Sequence, residues 1–293
     1  MNAPMAADDL NLMKFGIGQP VPRQEDPTLL RGEGRYTDDM SLPNQAWCVM
    51  VRSQVAHGVI KGIDIAEAKG MPGVLGVWTG ADLNAAGYGP LKTLIPVPNR
   101  DGSPMKMPTR HSLATDKVRF VGDPVAFVVA ETQAEAKDAA ETVMVDIDSL
   151  PAVTDAREAT RPGAPIVFDD APGNICVDYL YGESAKVAEA FAKAAHVTRL
   201  HLVSNRIVVC AMEPRSALAD YDARTDRYTL RAGNQGAFGL KHQMADLLKI
   251  KPDQMRILTG NVGGSFGMKG SPYPEYAGMF HACLLYTSDA ADE

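Results

Sequence analysis

The sequence has no Cys-x-x-Cys pair, and its four cysteines, Cys48, Cys176, Cys210 and Cys283, are spaced for neither a zinc nor an iron–sulfur site. They read as reduced, mostly buried thiols of a cytoplasmic protein. No uninterrupted apolar run reaches the roughly 18 residues that a membrane-spanning helix needs. Basic runs and Lys/Arg stripes are missing too, and with a formal net charge of -7 this excludes wholesale nucleic-acid binding. The first eleven residues hold acidic side chains and no long apolar stretch, so they match neither a Sec nor a twin-Arg signal. Acids paired at a catalytic spacing are also lacking: Asp38-Asp39 and Asp146/Asp148 read as turn or solvated carboxylates.

What is present is the make-up of an ordinary globular chain. It has 293 residues, 45% hydrophobic and 22% charged, enough for about two domains with cores that need no disulfide. Twenty-six Gly and twenty Pro predict many turns between short elements. Residues 1–22 read as a loose leader. A first domain is expected over 23–150, a linker rich in Pro and Gly over 151–174, and the start of a second domain over 175–293.

Within the first domain, residues 46–51 and 74–79 read as strands, and 63–70 as a short helix with Asp64 at its N-cap and Gly70 just past its end. Residues 87–108 read as a long loop. The continuous apolar run 125–130 predicts a strand buried on both faces. Thr132 with Glu135 predicts a capping box opening a helix over 133–142, followed by a strand over 143–147. In the second domain, Ser184 is the expected N-cap of a helix over 185–195. Strands are expected over 197–203, 227–232 and 255–259, and an amphipathic helix over 238–249.

The segment that speaks to chemistry is Asn261-Val262-Gly263-Gly264-Ser265-Phe266-Gly267-Met268-Lys269. A strand leads into it, and its glycines leave the backbone bare, so successive N–H groups can face an anion or an oxo ligand at close range. The bland alternative is a tight turn. It is not a phosphate-binding P-loop, because Lys269 is followed by Gly270, and it is not a dinucleotide fingerprint. Gln235, at the end of strand 227–232, can both donate and accept hydrogen bonds without carrying charge, which suits a polarised metal-oxo group; otherwise it is a turn or capping residue. Glu213, before Pro214, reads better as a buried, paired carboxylate than as a catalytic one. His57 reads as a structural histidine and not a metal ligand.

Taken in order, Glu25-Asp26-Pro27, Gly32-x-Gly34-Arg35-Tyr36-x-Asp38-Asp39, Arg52-Ser53-x-x-Ala56-His57, Pro72-Gly73-Val74, Val118-Arg119-Phe120-Val121-Gly122-Asp123-Pro124-Val125-Ala126, Leu150-Pro151-Ala152-Val153, Met212-Glu213-Pro214-Arg215, Gln235 and Gly263-Gly264-x-Phe266-Gly267-x-Lys269 resemble the large subunit of the xanthine dehydrogenase, aldehyde oxidase and aerobic carbon monoxide dehydrogenase family. The resemblance covers nearly all of 23–282. It implies an α+β chain: an α/β hammerhead domain, then the first part of a molybdopterin-binding α/β domain. It implies that Gln235, Gly263, Gly264, Ser265, Phe266 and Gly267 line the cofactor side of the site, with Ser265 standing where Gly is commoner. It also implies a molybdenum–molybdopterin cofactor in its cytosine dinucleotide form, and a small subunit with 2Fe-2S clusters and a medium subunit with FAD, assembled as a dimer of heterotrimers. The expected reaction is hydroxylation of carbon monoxide, an aldehyde or an N-heterocycle with oxygen from water. No catalytic residue is assigned, because the family's general base, a Glu near the end of the subunit, is expected to lie beyond residue 293. The alternative is a non-catalytic binding or assembly protein reusing the hammerhead scaffold. The last stretch, 283–293, breaks the pattern and reads as a translated sequencing-library adapter, and the fragment alone is expected to be inactive.

Overall fold

The computed structural model describes residues 22–93 and 95–289. Apart from Pro22, the leader therefore lies outside the described residues, as do the last four residues of the adapter-like stretch. Two compact units are distinguished, Met1–Arg35 and Tyr36–Glu293. The described part of the first holds one short helix, α1 (Asp26–Leu30), with Pro27 in its opening turn, where its missing N–H costs nothing.

The second unit opens with strands β1 (Trp47–Arg52) and β2 (Gly58–Asp64), a one-turn helix α2 (Ala66–Lys69), strand β3 (Val74–Thr79) and helix α3 (Gly80–Ala85). Strands β4 (Lys117–Val118) and β5 (Pro124–Ala130), helix α4 (Gln133–Thr142) and strand β6 (Met144–Ser149) follow. These strands make two antiparallel sheets, β1-β5-β3 and β4-β2-β6. Strand β5 is the middle strand of its sheet, paired through Val49↔Val128 on one side and Trp78↔Phe127 on the other. All seven of its residues are buried, so the apolar run marks a strand covered on both faces, as expected. Phe127 and Val129 pack with Leu83, Leu113 and Ala282, whereas Val125 and Val128 pack with Ala68, Val77 and Ala139 of the neighbouring core. Helix α4 begins at the expected capping box: Thr132 Oγ1 accepts the Glu135 N–H at 3.2 Å, and Glu135 Oε2 accepts the Thr132 N–H at 3.0 Å.

Beyond a Pro-rich stretch come helix α5 (Ser184–Lys193), strands β7 (Ala217–Asp222) and β8 (Arg227–Ala232), helix α6 (Ala237–Leu248), strand β9 (Met255–Leu258) and helix α7 (Pro274–Asp289). The third sheet runs β7-β8-β9, with β7/β8 antiparallel and β8/β9 parallel. The parallel pair needs a crossover, and α6 supplies it. Leu240, Met244, Leu247 and Leu248 of α6 recur at helical spacing and face the sheet residues Leu230, Ala232 and Met255. Helix α7 adds Tyr276, Ala277 and Phe280 to the same core. It also reaches the first sheet: a Cβ on Gly278 would stand 3.3 Å from the Phe127 ring, so a larger residue there would press helix and strand apart by a few tenths of an ångström.

Four expectations need correction. Strand β2 runs on to Asp64, so the helix expected over 63–70 shrinks to the single turn of α2; Asp64 still accepts the Ala66 N–H at 2.9 Å. Residues 197–203 form no strand: their alternation is strand-like, but no described neighbour offers a ladder, and Leu200 and Leu202 are 77% and 78% exposed. Ser184 lies inside α5 and makes no capping hydrogen bond, and this amphipathic helix has no buried residue. Cys210 is exposed, whereas Cys48, Cys176 and Cys283 are partly buried, and none of the four is in a disulfide.

Candidate functional site

Strand β8 ends at Ala232, and the chain then turns through Asn234-Gln235-Gly236 into α6. Asn234 shapes this turn, its Oδ1 accepting the Gly236 N–H at 2.9 Å and its amide donating to Ala232 O at 3.1 Å. The neighbouring parallel strand β9 leads into the Gly-rich loop. Because β8 and β9 are parallel, both turns leave the sheet at the same, carboxyl-terminal edge, where open α/β sheets place their ligands.

The structure brings Gln235 and the loop together. Gln235 N–H donates to Lys269 O at 3.2 Å, and Ser265 Oγ lies 2.6 Å from Gln235 Oε1. The loop folds over itself through Lys269 N–H to Ser265 Oγ at 3.0 Å and Met268 N–H to Ser265 O at 2.9 Å. Its path needs the left-handed region three times, at Gly264 (φ 101°), Phe266 (φ 50°) and Gly267 (φ 92°). The glycines take this at little cost, whereas Phe266 holds it against strain. The Phe266 ring is 78% exposed, so its contribution to the described site is its backbone, not a buried wall.

Behind the loop lies a buried ion pair. Glu213 Oε2 accepts from Lys269 Nζ at 2.6 Å and from Gly263 N–H at 2.8 Å, while Glu213 N–H donates to Gly263 O at 3.1 Å. Lys269 is 4% exposed. Glu213 is thus the buried, paired carboxylate expected from its sequence context. Tyr273 OH donates to Met268 O, Arg215 stacks on the Tyr273 ring at 3.5 Å, and Glu275 bridges Arg52 at 2.5 Å and Arg215 at 3.5 Å. Sequence reading missed these supports. Lys269 and Glu213 stand 56 positions apart, and no local pattern joins them.

The donor set fits an anionic or oxo-bearing group. Among the described residues, the N–H groups of Gly264, Ser265, Phe266 and Gly267 donate to no acceptor within the chain. A Cβ added at Gly267 or Gly236 would meet nothing within 4 Å, so open space lies before them. No group of three His, Cys, Asp or Glu among the described residues could hold a metal ion directly. His57 is buried and structural, its Nδ1 lying 2.9 Å from Pro151 O. A separate cleft of about 380 Å³ is lined by Arg110, Asp116, Arg119, Phe120, Asp123 and Phe168, away from the loop. No helix among the described residues is long and apolar enough to cross a membrane.

Two antiparallel sheets are thus followed by a third whose carboxyl-terminal edge carries a bare-backbone loop beside Gln235. Residues 31–151 match the model "Aldehyde oxidase and xanthine dehydrogenase, a/b hammerhead domain", and residues 167–288 match "Molybdopterin cofactor-binding domain". The chain is 36% identical over 263 residues to the nicotine 6-hydroxylase large subunit of Paenarthrobacter nicotinovorans, covering 88% of this chain and 31% of that one. It is 31% identical over 298 residues to the carbon monoxide dehydrogenase large chain of Hydrogenophaga pseudoflava, covering 97% and 36%. The crystal structure of quinoline 2-oxidoreductase from Pseudomonas putida 86 superposes with a TM-score of 0.78 at 33% identity, covering 93% of this chain and 33% of that one. The chain belongs to the xanthine dehydrogenase, aldehyde oxidase and carbon monoxide dehydrogenase family, and corresponds to part of its large, molybdopterin-binding subunit. It spans about a third of the length of the relatives it matches.

Proposed function

We propose that this chain belongs to the large subunit of a cytoplasmic molybdenum hydroxylase, which inserts oxygen from water into a small-molecule substrate. The observation that carries this reading is the loop 264–267 beside Gln235: among the described residues none of its four N–H groups donates within the chain, and Ser265 Oγ lies 2.6 Å from Gln235 Oε1. A molybdenum–molybdopterin cofactor, here the cytosine dinucleotide form, supplies the redox chemistry when bound. The chain's own part is to bind and orient. The N–H groups of Gly264, Ser265, Phe266 and Gly267 hold the cofactor by hydrogen bonds, and Gln235 offers its amide to a polarised oxygen. Gly263 belongs to the same lining, its own N–H donating to Glu213 at 2.8 Å and so anchoring the start of the loop. Glu213 is bound to Lys269 and is not the base.

Domain boundaries near 150 and 174 separate the hammerhead from the cofactor domain in this reading. Electrons leave to a 2Fe-2S small subunit and an FAD medium subunit, in a dimer of heterotrimers. Carbon monoxide, aldehydes and N-heterocycles are the substrate classes. N-heterocycles come first for testing, since two relatives are named for nicotine and quinoline. The test is purification of the full-length subunit with its partners, a molybdenum and cytosine nucleotide determination, and turnover of the three classes in ¹⁸O-labelled water. One molybdenum per subunit and label in the product support the proposal. A complex that carries neither metal nor pterin, and turns over none of them, overturns it.

A further inference from the structure

We propose that Ser265 is a positioning residue for Gln235: its hydroxyl fixes the side-chain amide so that the NH2 end, not the carbonyl end, faces the open side of the loop. The inference rests on the cofactor-binding reading above and assigns a role to one hydroxyl within it.

The Ser265 hydroxyl has one hydrogen to give. It already receives the Lys269 N–H at 3.0 Å, so its own hydrogen needs an acceptor elsewhere. Gln235 Oε1 stands 2.6 Å away and is the acceptor in reach. Were the amide turned end for end, its NH2 would meet the hydroxyl, and the serine hydrogen would lose that partner. The Gln235 backbone is pinned to the same segment by its N–H on Lys269 O at 3.2 Å, so backbone and side chain are referenced to one short stretch, 265–269. Among the described residues Gln235 Nε2 has no acceptor; Gln235 is exposed, and a Cβ added at Gly236 or Gly267 would meet nothing within 4 Å.

Orientation matters because the two ends of an amide are opposite in electrostatic sense. An outward NH2 adds a fifth donor to the four backbone N–H groups and attracts an oxygen that carries negative charge. An outward carbonyl would repel it. The terminal torsion of glutamine is broad, so without the hydroxyl both orientations are populated and the receptor is diluted.

The experiment uses the full-length subunit in its purified complex, with Ser265→Ala, Ser265→Thr, Gln235→Ala and the Ser265→Ala/Gln235→Ala double variant. Molybdenum content, the molybdenum EPR spectrum of the partly reduced protein, and turnover are measured for each. The expected result is wild-type molybdenum content throughout and a shifted EPR spectrum in Ser265→Ala that matches the direction of Gln235→Ala. Ser265→Thr should give the wild-type spectrum, and the double variant should show no change beyond Gln235→Ala alone. Turnover of Ser265→Ala should fall roughly five- to tenfold, the scale of one hydrogen bond. A wild-type spectrum in Ser265→Ala overturns the proposal, and so do fully additive effects in the double variant. Loss of molybdenum from Ser265→Ala but not from Gln235→Ala also overturns it, because the hydroxyl would then act on the loop and not through Gln235. A wild-type complex free of molybdenum overturns the underlying reading as well, which separates the two failures.

Discussion

One oxygen of Glu213 closes the Gly-rich loop: it lies 2.6 Å from Lys269 Nζ at the loop's end and 2.8 Å from Gly263 N at its start. The other oxygen, Oε1, is buried without a partner, so the carboxylate is committed to the loop despite an unsatisfied lone pair. Removing it would leave the Lys269 ammonium, 4% exposed, without a counter-charge. Glu213→Ala is expected to destabilise by about 3–5 kcal/mol. Replacing both partners by methionine should recover most of that loss, because no buried charge is then stranded. Urea unfolding of the two variants checks this; equal midpoints for Glu213→Ala and wild type would refute the clasp.

Two glycines in the loop should fail differently. A Cβ on Gly263 would sit 2.6 Å from Glu213 Cβ, a clash with the clasp itself. Gly263→Ala is expected to cost about 1–3 kcal/mol through overpacking and to lower molybdenum content. At Gly267 (φ 92°) a Cβ meets nothing within 4 Å, so Gly267→Ala costs about 1–2 kcal/mol of backbone strain alone. Metal analysis beside thermal melts separates them. Equal molybdenum loss at matched stability would contradict the distinction.

His281 of α7 sets a pH dependence. It is buried edge-on against Trp78, Tyr88 and Phe127, and burial holds its pKa below the ordinary 6.5. The unfolded chain therefore takes up a proton at higher pH than the folded one. Stability is unaffected well above pH 6.5 and falls as the pH drops from there toward the depressed folded value. The slope from this one group is at most about 1.4 kcal/mol per pH unit. His281→Phe should flatten the urea midpoint between pH 7 and pH 5 by that share. An unchanged slope would show that other groups dominate.

The thiols differ in reach. Burial pushes the Cys48 thiol up to about 12, so almost none of it is thiolate at neutral pH. Cys210 is exposed. A timed reaction with a maleimide, followed by peptide mapping, should label Cys210 within minutes and Cys48 only after unfolding. Early labelling of Cys48 would place it at the surface.

Features encoded within a few residues were legible in the sequence. The Thr132–Glu135 box, the apolar run of β5 and the β8-turn-α6 unit depend on local spacing, and the structure shows each of them. The Gly-rich loop was legible as bare backbone, and Gln235 as a neutral polar group at a strand end. What stayed hidden depends on partners far along the chain. Residues 197–203 have a strand's alternation but no described ladder. Strand β7, by contrast, is marked only weakly in its sequence and is fixed by pairing with β8 through Ala219↔Leu230. The serine–glutamine contact needs the β8 and β9 turns to meet in space, 30 positions apart in sequence.

The pairing pattern also sets an order of assembly on the ribosome. Strand β1 waits for β5, with Trp47 finding Ala130, and β2 waits for β6, with Gly58 finding Ser149. Each of the first two sheets must hold a long intervening chain in place before its strands can close, which slows folding. The third sheet draws its strands from the short span between Ala217 and Leu258. Its β-hairpin and crossover can form as soon as they clear the exit tunnel. The third sheet thus closes quickly once made, whereas the strands of the first two sheets emerge first and stay open until β5 and β6 have been synthesised.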